Sequence, residues 1–250
     1  MQNDINMITQ WAQDWGFFLN VDKCRILQFG GKEQFDYHMD NIIVKKENKA
    51  KDLSIIVDNK LQWHDQIQST VGKAKRRAFC LSRALIFKNV KTWKLLYKGY
   101  IRSILEYGLT AYCPYQKGQL AALEGVQRWM TRQVPGIGRL PYEQRRKICN
   151  LISIEDRLER GVVLEMFKIQ NNLSGVSNSR VTQITHNYCS RSMSSQDVYI
   201  PFAKNDKRKN AFICRSAPLW KNLPTEVKMC STKDSFKIAY DLWKLSQVYE

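Results

Sequence analysis

The chain of 250 residues carries 40 lysines and arginines against 23 aspartates and glutamates, a formal charge of +17 with histidine neutral. Hydrophobic residues make up 44% and charged residues 25%, ordinary globular usage that excludes a disordered chain. No apolar run approaches the roughly 18 residues of a membrane span and the opening residues lack a signal-peptide pattern, so a soluble intracellular protein, nuclear or cytoplasmic, is expected, with a polyanion as partner.

Residues 1–60 are close to neutral, with 8 basic and 9 acidic side chains. Ile5, Ile8, Trp11, Ala12, Trp15 and Phe18 recur mostly at steps of three and four, which predicts an amphipathic helix over 3–19 capped by Asn3 or Asp4. Lys23–Phe29 reads as a short strand closed by Gly30-Gly31. Ile42–Val44 and Leu53–Val57 are further strand candidates, the second apolar enough to be buried, and Asp58-Asn59-Lys60 is a turn.

From Trp63 the pattern becomes one of long helices. Across 63–87, Ile67, Val71, Ala74, Ala78, Leu81 and Leu85 fall within a stripe of roughly 80° at ~100° per residue, with Lys73, Arg76 and Arg83 opposite. Across 91–107, Lys91, Lys94, Lys98 and Arg102 form a second basic stripe facing away from Trp93, Leu96, Tyr97, Tyr100, Ile104 and Tyr107. Most charge stripes are solvated helix faces that mix signs for i,i+4 pairing. Residues 61–120 instead hold 11 bases and 2 acids, which favours a surface that tracks phosphates.

Residues 116–134 and 141–172 read as further helices, the second group interrupted around Leu151–Ser153, with Pro135-Gly136-Ile137-Gly138 as the loop between them. Residues 173–205 have the composition of a loop, 206–224 are basic and end in a turn at Asn222-Leu223-Pro224, and Lys233–Val248 predicts a last helix. Its Tyr240 and Trp243 read as core. The seven cysteines are irregularly spaced, and His186 with Cys189 amounts to half a zinc site at most, so free thiols are expected. Glu155-Asp156, with Arg157, Glu159 and Arg160, reads as helix-surface pairing. There is no nucleophile elbow, phosphate-cradling glycine loop or His-Glu-x-x-His, and no two aspartates are adjacent. The chain is therefore not expected to be an enzyme on its own, and no cofactor or metal is expected in it.

Several segments, taken in order, resemble the C-terminal half of the reverse transcriptase of non-LTR (LINE-type, jockey-like) retrotransposons. DINMITQWAQDWGFFLNVDKCRILQFG is similar to that family's Trp-containing helix followed by Asn-x-x-Lys-Cys and a strand. KDLSIIVDNKLQWHDQI, LEYGLTAYCPY, LEGVQRWMTRQVPG, ISIEDRLERGVVLEMFKI and APLWKNLPTEV continue the series across nearly the whole chain. Ser54 stands at a usual glycine, Tyr112 at a usual Trp, Leu158 at a usual Arg, and Lys221 at the usual Asn after Trp220.

The resemblance implies an α+β, predominantly helical fold in three parts. Residues 1–60 would be a remnant of the polymerase palm, 61–135 a basic helical thumb, and 136–250 a helical C-terminal extension with a loop-rich 173–205. It implies that the palm's aspartates, which hold Mg²⁺ in the complete enzyme, lie upstream of Met1. Lys23 matches the palm lysine that assists pyrophosphate departure, a role without a triphosphate here, and Leu53, Ser54 and Ile55 match the primer grip. The thumb reading makes Lys73, Arg76, Arg83, Lys91, Lys94, Lys98 and Arg102 the nucleic-acid contacts, with RNA, DNA or an RNA–DNA hybrid as partner and the separate palm and fingers as a second. The expected function is that of a truncated RNA-directed DNA polymerase retaining sequence-nonspecific binding of template-primer. The alternatives are a protein-interaction module and a retrotransposon-derived remnant without function.

Overall fold

The computed structural model describes residues 1–30, 35–85, 89–176, 198, 200 and 202–247. The fold is α+β and predominantly helical, and among the described residues the strands form small two-stranded sheets before residue 60. The chain divides into two compact units, Met1–Ser69 and Thr70–Glu250.

In the first unit, helix α1 spans Gln2–Asp14 and ends short of the expected residue 19. Gly16 is the cause: at φ +70° it accepts the left-handed conformation, Phe17 N–H donates to Ala12 O at 2.7 Å, and Gly16 N–H donates to Gln13 O at 3.0 Å. That pair of bonds is a Schellman stop. The N-cap is Met1, not Asn3 or Asp4. Of the expected apolar stripe only Ala12 is buried, whereas Trp11, Trp15 and Phe18 stand exposed, Phe18 completely.

The expected strand Lys23–Phe29 is largely absent. Val21–Lys23 is a 3₁₀ turn, and only β1, Arg25–Ile26, pairs, in parallel with β4, Lys45–Lys46. Between them β2, His38–Met39, and β3, Ile42–Ile43, make a hairpin across Asp40-Asn41, both at positive φ. The expected buried strand over Leu53–Val57 is also corrected. Leu53 and Ser54 are the turn between β5, Lys49–Asp52, and β6, Ile55–Asp58, at φ +44° and +68°, and Leu53 is exposed. Positive φ at both positions is the type I′ pattern, so the hairpin imposes on Leu and Ser a geometry that glycine or asparagine adopts more cheaply. The turn at Asp58-Asn59-Lys60 is as expected. The Asp58 carboxylate accepts from the N–H groups of Lys60, Gln62 and Trp63 at 2.9–3.1 Å, fixing the approach to α2, His64–Ala84.

Of the stripe expected across 63–87, Ile67, Val71, Ala74 and Ala78 of α2 are buried and Leu81 and Leu85 are half-buried. In the second unit the expected helix over 91–107 is α3, Val90–Leu96, a π turn at Tyr97–Ile101, and α4, Arg102–Glu106. Asn89 caps it, its side chain accepting from Thr92 N–H at 2.7 Å. The buried residues Trp93, Tyr97, Ile101 and Leu105 are four apart. Steps of four would drift ~40° each around a regular α-helix. The wider π turn absorbs the drift, so these four hold one face while Tyr100 and Tyr107, expected on that face, stand exposed.

Helices α5, Leu109–Tyr112, α6, Lys117–Arg132, α7, Tyr142–Ile148, and α8, Ile154–Gln170, follow, with the break at Leu151–Ser153 where expected. Ser153 caps α8 by accepting from Asp156 N–H at 3.0 Å. Gly161 lets α5 and α8 approach, since a Cβ there would lie 2.8 Å from Thr110 Cγ2. Gln127 of α6 is the polar centre: its Oε1 accepts from Tyr97 Oη at 2.6 Å, and its Nε2 donates to Tyr142 Oη, Glu124 and Ile152 O.

Most of the expected loop 173–205, with His186 and Cys189, lies outside the described residues. Beyond it the basic 206–224 segment is helical: α9, Asp206–Lys209, and α10, Phe212–Lys221, are followed by α11, Thr225–Lys228, and α12, Lys233–Ser246. Val163, Met166, Phe167, Ala217, Trp220, Leu223, Val227, Phe236 and Tyr240 form one apolar cluster, with the Phe167 and Phe236 rings stacked at 4.3 Å. Tyr240 is core, as expected, and Trp243 packs against the same cluster.

Candidate nucleic-acid interface

The basic residues predicted from the two helices all fall in the second unit, and the fold sorts them into two groups. On α2, Lys73 and Arg76 are exposed and line an open groove with Arg77, Cys80 and Ile104 of α4. Arg77, four residues after Lys73, belongs to the same row, and that spacing was there to be read in the sequence. Arg83 lies further along, its guanidinium 5.7 Å from the centre of the Phe79 ring. It stands in the last helical turn, where a cation complements the helix dipole.

The second group is built on the π turn. Lys91 is exposed in the first turn of α3, and Lys94, Lys98 and Arg102 follow at half-buried positions, each one residue after a core residue. Burial pushes the Lys98 ammonium below its ordinary pKa, and the neighbouring charges of Lys94, Arg102 and Arg157 push the same way. Arg157 comes from α8, and no local pattern in 91–107 signals it. Four cations thus crowd one surface. Glu106 is the acid within it, taking a two-pronged bond from Arg157, one arm at 2.7 Å, and standing 3.6 Å from Arg102. Arg102 is therefore tied into the fold by Glu106, whereas no carboxylate is paired with Lys94 or Lys98 among the described residues.

The Glu155–Arg160 region pairs between helices and not, as the sequence suggested, along one. Arg160 forks onto Asp241 of α12 at 2.6 and 2.8 Å, and Glu159 accepts from Tyr240 Oη and Lys244.

The residues matched to the palm lie in the first unit. Lys23 is exposed at the end of the 3₁₀ turn and lines a groove with Arg25, Glu47, Lys49, Lys51, Asp52 and Asp65. Within it Arg25 pairs with Glu47 at 2.6 Å and Lys49 with Asp65 at 2.8 Å, and each partner of the latter pair shifts the other's pKa toward its charged form. Leu53, Ser54 and Ile55 form the hairpin tip and the first residue of β6, and Ser54 does reach the positive φ that a glycine would supply.

Among the described residues no group of three or more His, Cys, Asp or Glu side chains is placed to hold a metal ion. Among them too, no helix is long and apolar enough to cross a membrane. The six described cysteines are free thiols.

No protein-family model matches the chain, and no solved structure matches it significantly. An uncharacterized protein of Caenorhabditis elegans is 30% identical over 143 residues, which cover 56% of this chain and 62% of the relative's length.

Proposed function

We propose that this chain is related to the reverse transcriptases of non-LTR retrotransposons and that it holds nucleic acid, an RNA–DNA template-primer by preference, without copying it. The observation that supports this reading is the crowding of Lys94, Lys98, Arg102 and Arg157 against the single carboxylate of Glu106, beside a groove bearing Lys73, Arg76 and Arg77. Lysines and arginines spaced along two helices neutralise backbone phosphates without reading bases, so the affinity is indifferent to sequence and falls with salt. An A-like hybrid would be held by its shape.

Anisotropy titration of a labelled RNA–DNA hybrid at several salt concentrations tests it. The expected outcome is a linear fall of log affinity with log salt, and Lys94→Glu with Lys98→Glu weakening every sequence alike by about tenfold or more. Absence of binding at low salt, or an affinity that salt does not change, rejects the reading.

One observation favours a protein partner instead. Ile238, Leu242 and Leu245 form an exposed apolar row on the outer side of α12, whose aromatic residues face inward. Capture of a protein partner lost on Leu242→Lys, from a sample that fails to bind nucleic acid, would shift the assignment to this second reading.

A further inference from the structure

A cleft in the second unit lies away from the residues used so far. The C-terminal half of α6 forms one wall, with Arg128, Trp129 and Arg132, and the Pro135–Leu140 loop forms the other, with Arg139. Arg145 lines it as well, and the cleft measures about 930 Å³. Three features mark it as built. Arg145 is buried, and its guanidinium donates to Leu140 O at 3.0 Å, Arg128 O at 2.9 Å and Thr131 Oγ1 at 3.1 Å, clamping the loop to α6. Gly138 is the point of closest approach, since a Cβ there would stand 2.4 Å from Arg132 O. Arg128 lies over the Tyr142 ring at 4.9 Å, which fixes the guanidinium plane while leaving its N–H edge to donate.

No acidic residue lines the cleft, and among the described residues Arg128, Arg132 and Arg139 meet no carboxylate. Three exposed guanidinium forks match phosphate oxygens in pairs. The half-buried indole of Trp129 between Arg128 and Arg132 adds a flat apolar face, which a phosphate does not need and a nucleobase does. A duplex keeps its bases stacked inside and offers none to an indole, whereas an unpaired strand does.

We propose that this cleft binds single-stranded nucleic acid, with successive phosphates on Arg128, Arg132 and Arg139 and an unpaired base stacked on Trp129. The site does not depend on the α2 and α3–α4 faces. An acidic peptide would satisfy the arginines but not the indole, which is why the nucleic acid is favoured.

The full-length chain with a fluorescein-labelled 20-nucleotide oligo(U) and, separately, a 20-base-pair RNA–DNA hybrid provides the test. Trp129→Leu should weaken oligo(U) binding about tenfold while changing the hybrid by less than twofold, and Trp129→Phe should restore most of the loss. Arg132→Ala with Arg139→Ala, both exposed and safe for folding, should lower the salt slope for oligo(U) by about 1.4. Lys73→Glu with Arg76→Glu should weaken the hybrid and spare oligo(U), so the two sites fail independently. The proposal is overturned if the Arg132/Arg139 pair leaves oligo(U) unchanged, if its loss is equal for both ligands, or if poly-glutamate displaces oligo(U) at equal charge.

Discussion

Gln127 has no exposed surface, yet both ends of its amide are occupied, by the hydroxyls of Tyr97 and Tyr142, by Glu124 and by the Ile152 carbonyl. The hub joins the π turn, α6, α7 and the break before α8. Gln127→Leu keeps the volume but strands the Tyr97 hydroxyl and the Ile152 carbonyl in a dry interior, at about 2–4 kcal/mol. Chemical denaturation should show that loss as a lower midpoint with an unchanged slope. A loss below about 1 kcal/mol would mean that water reaches the hub. No feature of the sequence singles out Gln127, because one glutamine in an amphipathic stretch carries no periodic signal. The same holds for Arg145 and for Arg157, whose partners are 17 and 51 residues away. By contrast the apolar stripe of α2 was legible, because it is a matter of local spacing alone.

Helix ends and turns mark the next level. The Schellman stop at Gly16 and the hairpin tip at Leu53-Ser54 shortened or displaced the expected elements, because a single backbone angle there outweighs side-chain polarity. The π turn had the opposite effect: it preserved the basic row while moving Tyr100 and Tyr107 outward. On that row Glu106 is the counterweight to Arg102 and Arg157. Glu106→Gln removes one negative charge from the proposed interface, so affinity for a hybrid should rise a few-fold and the salt dependence steepen, as read by anisotropy. A fall in affinity would show that Glu106 serves by orienting the two arginines. Lys98 makes a pH prediction. Its ammonium is held below the ordinary 10.5, so in the window just under that value the unfolded chain binds more protons and stability rises with pH. At lower pH the repulsion is fully present. Lys98→Met should therefore melt at a higher temperature than the parent at pH 7, with the advantage shrinking toward about pH 10. A variant less stable at pH 7 would mean that packing of the lysine stem outweighs its charge.

The whole chain pairs a lightly packed first unit, with exposed Trp15 and Phe18, with a second unit holding the large aromatic cluster and every proposed nucleic-acid contact. A fragment starting at Leu61 retains α2 complete and the whole of the second unit. It should melt cooperatively and keep the salt-dependent hybrid binding of the full chain, checked by circular dichroism and anisotropy. Loss of the cooperative melt would show that the second unit leans on the first for its stability. The division between a neutral start and a basic remainder was legible from charge counting alone. The arginine cleft was not, because its four arginines are separated by a loop, and only a glycine at 138 lets that loop fold back onto α6.

Cys80 sits in the α2 groove beside Arg76, Arg77 and Ile104, and it is the exposed thiol among the six described. That position makes it a native footprinting probe. A maleimide dye attached there would report occupancy of the groove by its own change in brightness. Bound hybrid should in turn shield the unlabelled sulfur from alkylation while leaving the buried Cys113, Cys149 and Cys214 as slow internal standards.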